Sequence, residues 1–126
     1  MKSFFRTRAE AFRYAFRGWW FVIRTQRNAW VHAVVSIVVV VVGLWLGLPF
    51  KDWAVITIAI TMVWMAEFLN TALEAVVDLA SPNQNQLARV GKDVGAAAVL
   101  IAAISAVVIG IFILGPPLLG RIMSWF

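Results

Sequence analysis

The 126-residue sequence contains no cysteine and few charged residues. Without cysteine the chain forms neither a disulfide nor a thiolate metal site, and its redox compartment is left open. Charged residues make up 13% of the chain, where a typical soluble domain has about 25%, whereas 63% of the residues are hydrophobic. This composition predicts an integral membrane protein of a single domain, residues 1–126, without room for a second catalytic domain.

The sequence also lacks a nucleic-acid recognition motif, so the net charge of +5 does not predict nucleic-acid binding. A basic segment beside hydrophobic spans more commonly meets anionic lipid headgroups. Tryptophans are placed where membrane boundaries are expected, as interfacial anchors usually are. These residues are Trp19, Trp20, Trp30, Trp53 and Trp125.

Three apolar segments are long enough to cross a bilayer, for which about 20 helical residues suffice. They are residues 30–48, 53–80 and 94–114, and the short connections between them predict antiparallel neighbours. Of the 11 Lys and Arg residues, seven precede the first span and two lie between the second and third. Because positive residues are retained in the cytoplasm, we expect a multi-pass protein with a cytoplasmic N-terminus and no removable signal peptide.

The segment before the first span, residues 1–28, has the pattern of an amphipathic surface helix. On a helical wheel an apolar stripe and an arginine band lie side by side. Their members are Phe5, Ala9, Phe12, Phe16 and Ile23 in the stripe, and Arg6, Arg13, Arg17 and Arg24 in the band. The arginines either reach towards headgroups or form a phosphate-binding edge that faces the second loop.

The second span carries acidic residues in the run MAEFLNTALEAVVD, residues 65–78. Glu67, Asn70, Glu74 and Asp78 occupy one narrow face of a helix, with Glu67 roughly 9 Å below the inner membrane boundary. An ionised side chain at the bilayer centre costs at least about 2.5–3.5 kcal/mol, so this face should point into the bundle or a wet cavity.

Several arrangements relieve the repulsion among these carboxylates. The repulsion can be relieved by a divalent cation, by protonation, or by a structural network with Arg17, Arg24 or Lys92. Protonation would suit a proton-coupled transporter. Residues 53–66 carry only Thr57 and Thr61 as polar side chains. The polar face therefore stops halfway across the membrane, which favours a site open to the cytoplasm and the inner leaflet over a channel.

The run EFLNTALEAVVD, residues 67–78, resembles the signature of the prokaryotic diacylglycerol kinase family, which includes undecaprenol kinases. Residues 88–100, ARVGKDVGAAAVL, resemble a second family segment, and residues 14–18 also fit. The resemblance implies an all-α enzyme of the bacterial inner membrane, acting in phospholipid biosynthesis. It also implies a surface helix, three spans and a homotrimeric bundle with shared active sites.

The implied reaction is transfer of the γ-phosphoryl group of MgATP to a lipid hydroxyl, with diacylglycerol becoming phosphatidic acid. By resemblance Glu67 is the general base, Asn70 helps to orient the site, and Glu74 binds ATP and holds Mg²⁺. Further ATP-binding residues are Tyr14, Lys92 and Asp93. Phosphoryl transfer asks mainly for positioning and charge neutralisation, and the missing G-x-x-x-x-G-K-[ST] loop is a property of this family.

Position 26 departs from the family pattern, because Gln26 stands where members usually carry a Glu metal ligand. Gln26 is predicted to take that place in the ATP and metal site, where its uncharged oxygen should hold Mg²⁺ more weakly. Position 10 is Glu where some members have a basic residue. No role is therefore assigned to Glu10, and none to Asp78.

The acceptor lipid and one competing class of function stay open. Asn28 and His32 look more like the undecaprenol kinase branch, whereas the general architecture suits diacylglycerol. The competing class is a small non-enzymatic transporter or membrane assembly protein, in which the acidic face carries protons or pairs with arginine.

Overall fold

The structure, a computed structural model, describes residues 2–83 and 85–125, with side chains from residue 8 onwards. It contains four helices: α1 (Lys2–Thr25), α2 (Arg27–Leu46), α3 (Phe50–Ala80) and α4 (Gln86–Met123). The last three are long and apolar enough to cross a membrane. The predicted all-α architecture with three membrane spans is therefore confirmed, and the chain is a multi-pass membrane protein.

The predicted surface helix, residues 1–28, is shorter in the structure because Gln26 interrupts it. This residue has an extended backbone (φ −98°, ψ 116°), and α2 starts immediately after it. Its N–H still donates to the Val22 carbonyl at 2.9 Å. Val22 and Ala29, on the two sides of the break, are both buried. A single extended residue thus redirects the chain so that both helices pack inwards.

The connection between α2 and α3 is set by Gly47 and Pro49. Gly47 adopts the left-handed conformation (φ 69°), and the N–H groups of Gly47 and Leu48 donate to the last turn of α2. This is the usual way in which glycine ends a helix. Pro49 precedes the first turn of α3 with an extended backbone. The helices consequently end at Leu46 and begin at Phe50, rather than at the predicted residues 48 and 53.

Helix α4 is much longer than the predicted span of residues 94–114. The Asn85 side chain caps its N-terminus by accepting a hydrogen bond from the Ala88 N–H at 2.9 Å. The polar residues after Asn85 therefore continue the helix instead of forming a loop. Pro116 and Pro117 lie inside the last part of the helix, and since neither has a backbone N–H, each removes one intrahelical hydrogen bond there.

Helix α3 is the centre of the bundle and packs most extensively against α4. The core is made of small and β-branched side chains, as close helix packing in membranes favours. Its buried members on these two helices are Ile56, Ala59, Val63, Ala88, Val99 and Ala102. Between α2, α3 and α4 the packing is looser and encloses a cavity of about 560 Å³.

Helix α1 meets the rest of the bundle only through its C-terminal part, among the side chains that the structure describes. Residues 11–20 are all exposed, including Phe12 and Phe16 of the predicted apolar stripe. Phe5 and Arg6, which belong to the predicted stripe and arginine band, lie outside the described side chains. Ala9, Phe12 and Phe16 of the apolar stripe are therefore not covered by the described part of the chain, whereas Ile23 is partly buried.

Candidate active site

Glu67 is the most deeply buried charged side chain of the described part of the chain, with 1% of its surface exposed. It follows Val63 by one helical turn and continues the buried stripe of α3. Its Oε2 atom is buried and accepts no hydrogen bond from a described residue. Buried polar atoms almost always have a partner, so this carboxylate lies in a site whose polar partners are incomplete.

His32, which lies on the neighbouring helix α2, reaches the same carboxylate. Its Nε2 atom lies 3.6 Å from Glu67 Oε2, and it too is buried without a hydrogen-bond partner among described residues. From the sequence, His32 indicated only the acceptor lipid and was not predicted as a site residue. A local signal was present, because Asn28, His32 and Ser36 recur every four residues and form a polar stripe on an otherwise apolar helix.

Asn70 and Glu74 form a hydrogen-bonded pair one turn further along α3. Asn70 Nδ2 donates to Glu74 Oε1 at 3.1 Å, while Asn70 Oδ1 is buried without a partner in the described structure. A Cβ atom at Gly95 of α4 would overlap Asn70 Oδ1. Glycine at this position therefore lets the α4 backbone approach the amide closely. The predicted site residues Glu67, Asn70 and Glu74 are thus successive members of one face.

Lys92 of α4 is paired with Asp78 of α3. Its Nζ lies 2.9 Å and 3.2 Å from the two carboxylate oxygens, and both side chains are partly exposed. Asp93 is exposed beside Lys92. Lys92 is one of the three partners proposed from the sequence for the acidic face, to which Asp78 belongs. A helical wheel of α3 alone does not indicate which carboxylate of that face Lys92 meets.

The two arginines proposed as partners for the acidic face contact aromatic rings instead. The guanidinium of Arg17 lies 5.9 Å from the ring centre of Tyr14, and that of Arg24 lies 5.6 Å from the ring of Trp20. Tyr14 is exposed. Neither Tyr14 nor Gln26 makes a side-chain hydrogen bond within the described structure, so these two predicted ATP-site residues are not joined to the others.

An aromatic cluster connects α1 to α3 beside Glu67. Trp19 stacks on Trp64 with ring centres 5.0 Å apart, and its centre is 5.2 Å from that of Phe68. Trp64 Nε1 donates to Ser36 Oγ of α2 at 3.4 Å. Trp64 and Phe68 stand three residues before and one residue after Glu67 on α3, so the contacts that dock α1 lie on the same turn of the helix as the carboxylate.

Two apolar cavities end at the polar cluster. One of about 740 Å³ runs between α3 and α4 and reaches Asn70 and Gly95. The other, of about 560 Å³, reaches His32 between α2, α3 and α4. Cavities lined almost wholly by apolar side chains with a few convergent polar groups are typical binding sites for apolar ligands.

The oxygen atoms near Glu74 suit a hard cation that takes most of its ligands from a substrate. The described residues contain no group of three or more His, Cys, Asp or Glu side chains able to hold a metal ion. Mg²⁺, however, is commonly held by one or two carboxylates together with substrate phosphates. The half-buried Glu74 carboxylate and the unpartnered Asn70 Oδ1 therefore fit such an ion.

Comparison with known proteins matches this chain to the family described as prokaryotic diacylglycerol kinase, over residues 13–114. The diacylglycerol kinase of Synechocystis sp. is 42% identical over 110 residues, which cover 86% of this chain and 63% of that protein. The undecaprenol kinase of Bacillus subtilis is 36% identical over 109 residues, covering 86% and 89%. The diacylglycerol kinase of Escherichia coli is 35% identical over 89 residues, covering 65% and 73%.

The matched region contains the whole polar cluster and every site residue predicted from the sequence. The family match confirms the predicted enzyme class against the non-enzymatic transporter or assembly protein. The chain is a lipid kinase and belongs to the prokaryotic diacylglycerol kinase family.

Proposed function

We propose that this lipid kinase transfers the γ-phosphoryl group of ATP to the hydroxyl of diacylglycerol and so makes phosphatidic acid. The observation that carries the proposal is the Glu67 carboxylate, which is 1% exposed and has an unpartnered oxygen. It lies 3.6 Å from His32, which lines one apolar cavity, and one helical turn before Asn70, which lines the other. A buried base next to apolar cavities serves an acceptor that is itself mostly apolar.

Glu67 is the general base of this reaction. It takes the proton of the lipid hydroxyl while the hydroxyl oxygen bonds to the γ-phosphorus and the bond between that phosphorus and the β,γ-bridging oxygen breaks. The bridging oxygen leaves with its electron pair on ADP. Phosphoryl transfer needs little covalent chemistry from the protein, so a positioned base and neutralised phosphate charge are sufficient.

The phosphates of ATP bind on the Glu74 side of the cluster. Mg²⁺ would be held there by Glu74, Asn70 and Gln26, and when bound it neutralises charge on the β- and γ-phosphates. Lys92 has three N–H donors, so it can keep its contact with Asp78 and still donate to a phosphate oxygen. Tyr14 and Asp93 complete the proposed nucleotide site.

The proposed setting is the cytoplasmic face of a bacterial inner membrane, with α1 lying in the interface. The exposed Phe12 and Phe16 beside exposed arginines support this placement. A homotrimer is proposed as the active assembly. It is supported by the small share of α2 and α4 that one chain buries on its own.

Undecaprenol is a second candidate acceptor. The match covers 89% of the undecaprenol kinase of Bacillus subtilis but only 63% of the diacylglycerol kinase of Synechocystis sp.. An undecaprenol hydroxyl would meet Glu67 in the same way as a diacylglycerol hydroxyl. The two lipids differ in the apolar part, which the cavities on both sides of α3 would have to select.

The purified protein, supplied in lipid micelles with labelled ATP and Mg²⁺, tests both acceptors. We expect labelled phosphatidic acid from diacylglycerol, and loss of this product in Glu67→Gln. Faster labelling of undecaprenol would make it the preferred acceptor. If the wild type labels neither lipid, or if Glu67→Gln keeps full activity, the proposed mechanism is wrong.

A further inference from the structure

The contact between His32 and Glu67 joins α2 to the proposed base. The two atoms involved, Nε2 and Oε2, lie 3.6 Å apart, and both are buried without another partner among described residues. This separation exceeds a hydrogen bond by a few tenths of an ångström. Catalytic hydrogen bonds are often long before substrate binds and shorten in the reactive complex.

The imidazole of His32 is held in this orientation by its surroundings. Its ring lies edge-on to Trp64, with centres 6.4 Å apart and an interplanar angle of 69°. Trp64 is in turn fixed by Ser36, one turn after His32 on α2, and by the stacked Trp19 of α1. Contacts from three helices therefore fix where the imidazole points.

The other polar neighbours of Glu67 are already engaged elsewhere. The Asn70 amide donates to Glu74, and the Thr71 hydroxyl donates to the backbone carbonyl of Glu67 at 2.9 Å. Within the described residues, His32 provides the one Lys, Arg or His nitrogen within 4.0 Å of the Glu67 carboxylate. A carboxylate with no donor would be free to rotate about its terminal torsion, which is broad.

We propose that His32 is the positioning residue of Glu67. The Nε2–H of a neutral imidazole donates to Oε2 and so holds Oε1 towards the lipid hydroxyl. In the reaction the hydroxyl proton moves to Oε1, and His32 itself neither gains nor loses a proton. The inference rests on the proposed function, because it takes Glu67 as the base.

The test compares two substitutions that match in length and differ in donor capacity. His32→Gln keeps an N–H donor, whereas His32→Met removes it. We expect His32→Met to lower kcat at least about tenfold, with the KM values for ATP and lipid within about twofold of wild type. His32→Gln should recover most of that loss. If the Met variant does not fold, His32→Phe replaces it, since Phe keeps a ring against Trp64 and has no donor.

Val34→Met is the matched control. Val34 is exposed and lies about 200° around α2 from His32, so the same new side chain points away from the site. Its kcat should equal that of the wild type. A second measurement repeats the Gln and Met pair in a Glu67→Asp background, where the shortened carboxylate no longer reaches position 32. In this background the ratio of the kcat values of the Gln and Met variants should approach one.

The outcomes separate this inference from the proposed function. An active wild type with Glu67→Gln inactive and His32→Met at full kcat overturns the role of His32 alone. A raised KM with unchanged kcat does the same, because it makes His32 a binding residue. An inactive wild type, or full activity in Glu67→Gln, overturns the proposed function and this inference with it.

Discussion

The two halves of α3 use the same buried stripe for opposite purposes. In the first half the buried positions are Ile56, Ala59 and Val63, and the exposed Thr57 hydroxyl bonds to its own helix at the Trp53 carbonyl. One turn later the stripe continues as Glu67 and Thr71. The backbone geometry does not change at this point, but the chemistry of the buried face does.

The difference shows which half is arranged for packing and which for ligands. In the second half Glu67 Oε2 and Asn70 Oδ1 are buried without partners in the described structure. Such atoms cost stability, which is typical of functional sites. Substitutions in the first half should therefore change stability more than catalysis, and those in the second half should do the reverse.

The largest expected effect contrasts Glu67→Gln with Val63→Ala, at adjacent turns of the same stripe. Glu67→Gln removes the proposed base and should lower kcat at least about 10³-fold, with a Tm at least equal to that of the wild type. Val63→Ala leaves a void and should cost about 1–3 kcal/mol of stability with kcat nearly unchanged. Thermal unfolding and lipid phosphorylation, measured on both variants, check the contrast.

A Val63→Ala variant that loses kcat as strongly as Glu67→Gln would remove the distinction between the two halves. So would a Glu67→Gln variant that is active but less stable, because Glu67 would then be structural. Glu67→Asp provides a further control, since it keeps the charge and withdraws it by one methylene. Its activity should lie between those of the wild type and Glu67→Gln.

A smaller effect is expected from the α4 backbone that packs on the second half. Gly95→Ala places a methyl group against the Asn70 amide and should displace α4 or the amide. We expect a loss of about tenfold in kcat and about 1–3 kcal/mol in stability. Gly91→Ala is the control, because its Cβ would make an ordinary 3.8 Å contact with Val77. Equal losses of kcat and of stability in Gly95→Ala and Gly91→Ala would contradict the close approach at Gly95.

The ion pair at the end of α3 allows a finer separation of charge and stability. Lys92→Met should raise the KM for ATP at least about tenfold, since it removes a cation from the proposed phosphate site. Asp78→Asn removes the other half of a partly exposed pair, which is worth about 0–1 kcal/mol. The stability of Asp78→Asn should stay within about 1 kcal/mol of wild type, and its KM for ATP within about threefold. Steady-state kinetics at saturating lipid and thermal unfolding measure both. A large increase in KM in Asp78→Asn would make Asp78 part of the nucleotide site.

Contacts within one helix could be predicted, because helical periodicity alone decides them. The wheel placed Glu67, Asn70 and Glu74 on one face, and the structure has them on successive turns of α3. Contacts between helices could be predicted only in part, because Lys92 was among the candidate partners of the acidic face whereas His32 was not. His32 with Glu67 and Lys92 with Asp78 each depend on how α2 or α4 packs against α3.

Helix boundaries were missed where one residue decides them. Asn85 caps α4 through its side chain, so the polar segment after it, which was predicted to be a loop, is helical. Gln26 has an extended backbone for a single residue, and no breaker such as glycine or proline marks it. Its position between two helices is therefore a property of the packing of Val22 and Ala29 rather than of local sequence.

The smallest expected effect comes from Gln26 itself, at the junction of α1 and α2. Gln26→Glu supplies a carboxylate to the proposed metal site, and Mg²⁺ prefers carboxylate to amide oxygen. The Mg²⁺ concentration for half-maximal activity should fall about three- to tenfold. The added charge also lies at the N-terminus of α2, where the helix dipole favours it, so stability should not decrease.

Asn28→Glu separates ligation from general electrostatics, because it adds the same charge to the first turn of α2 at an exposed position. A ligand acts by direct contact, whereas a nearby charge attracts any cation and is screened by salt. Gln26→Glu should therefore lower the Mg²⁺ requirement at both low and high ionic strength, and Asn28→Glu only at low. An unchanged or higher requirement in Gln26→Glu would show that position 26 is no ligand, and would leave Glu74 as the carboxylate that holds the metal.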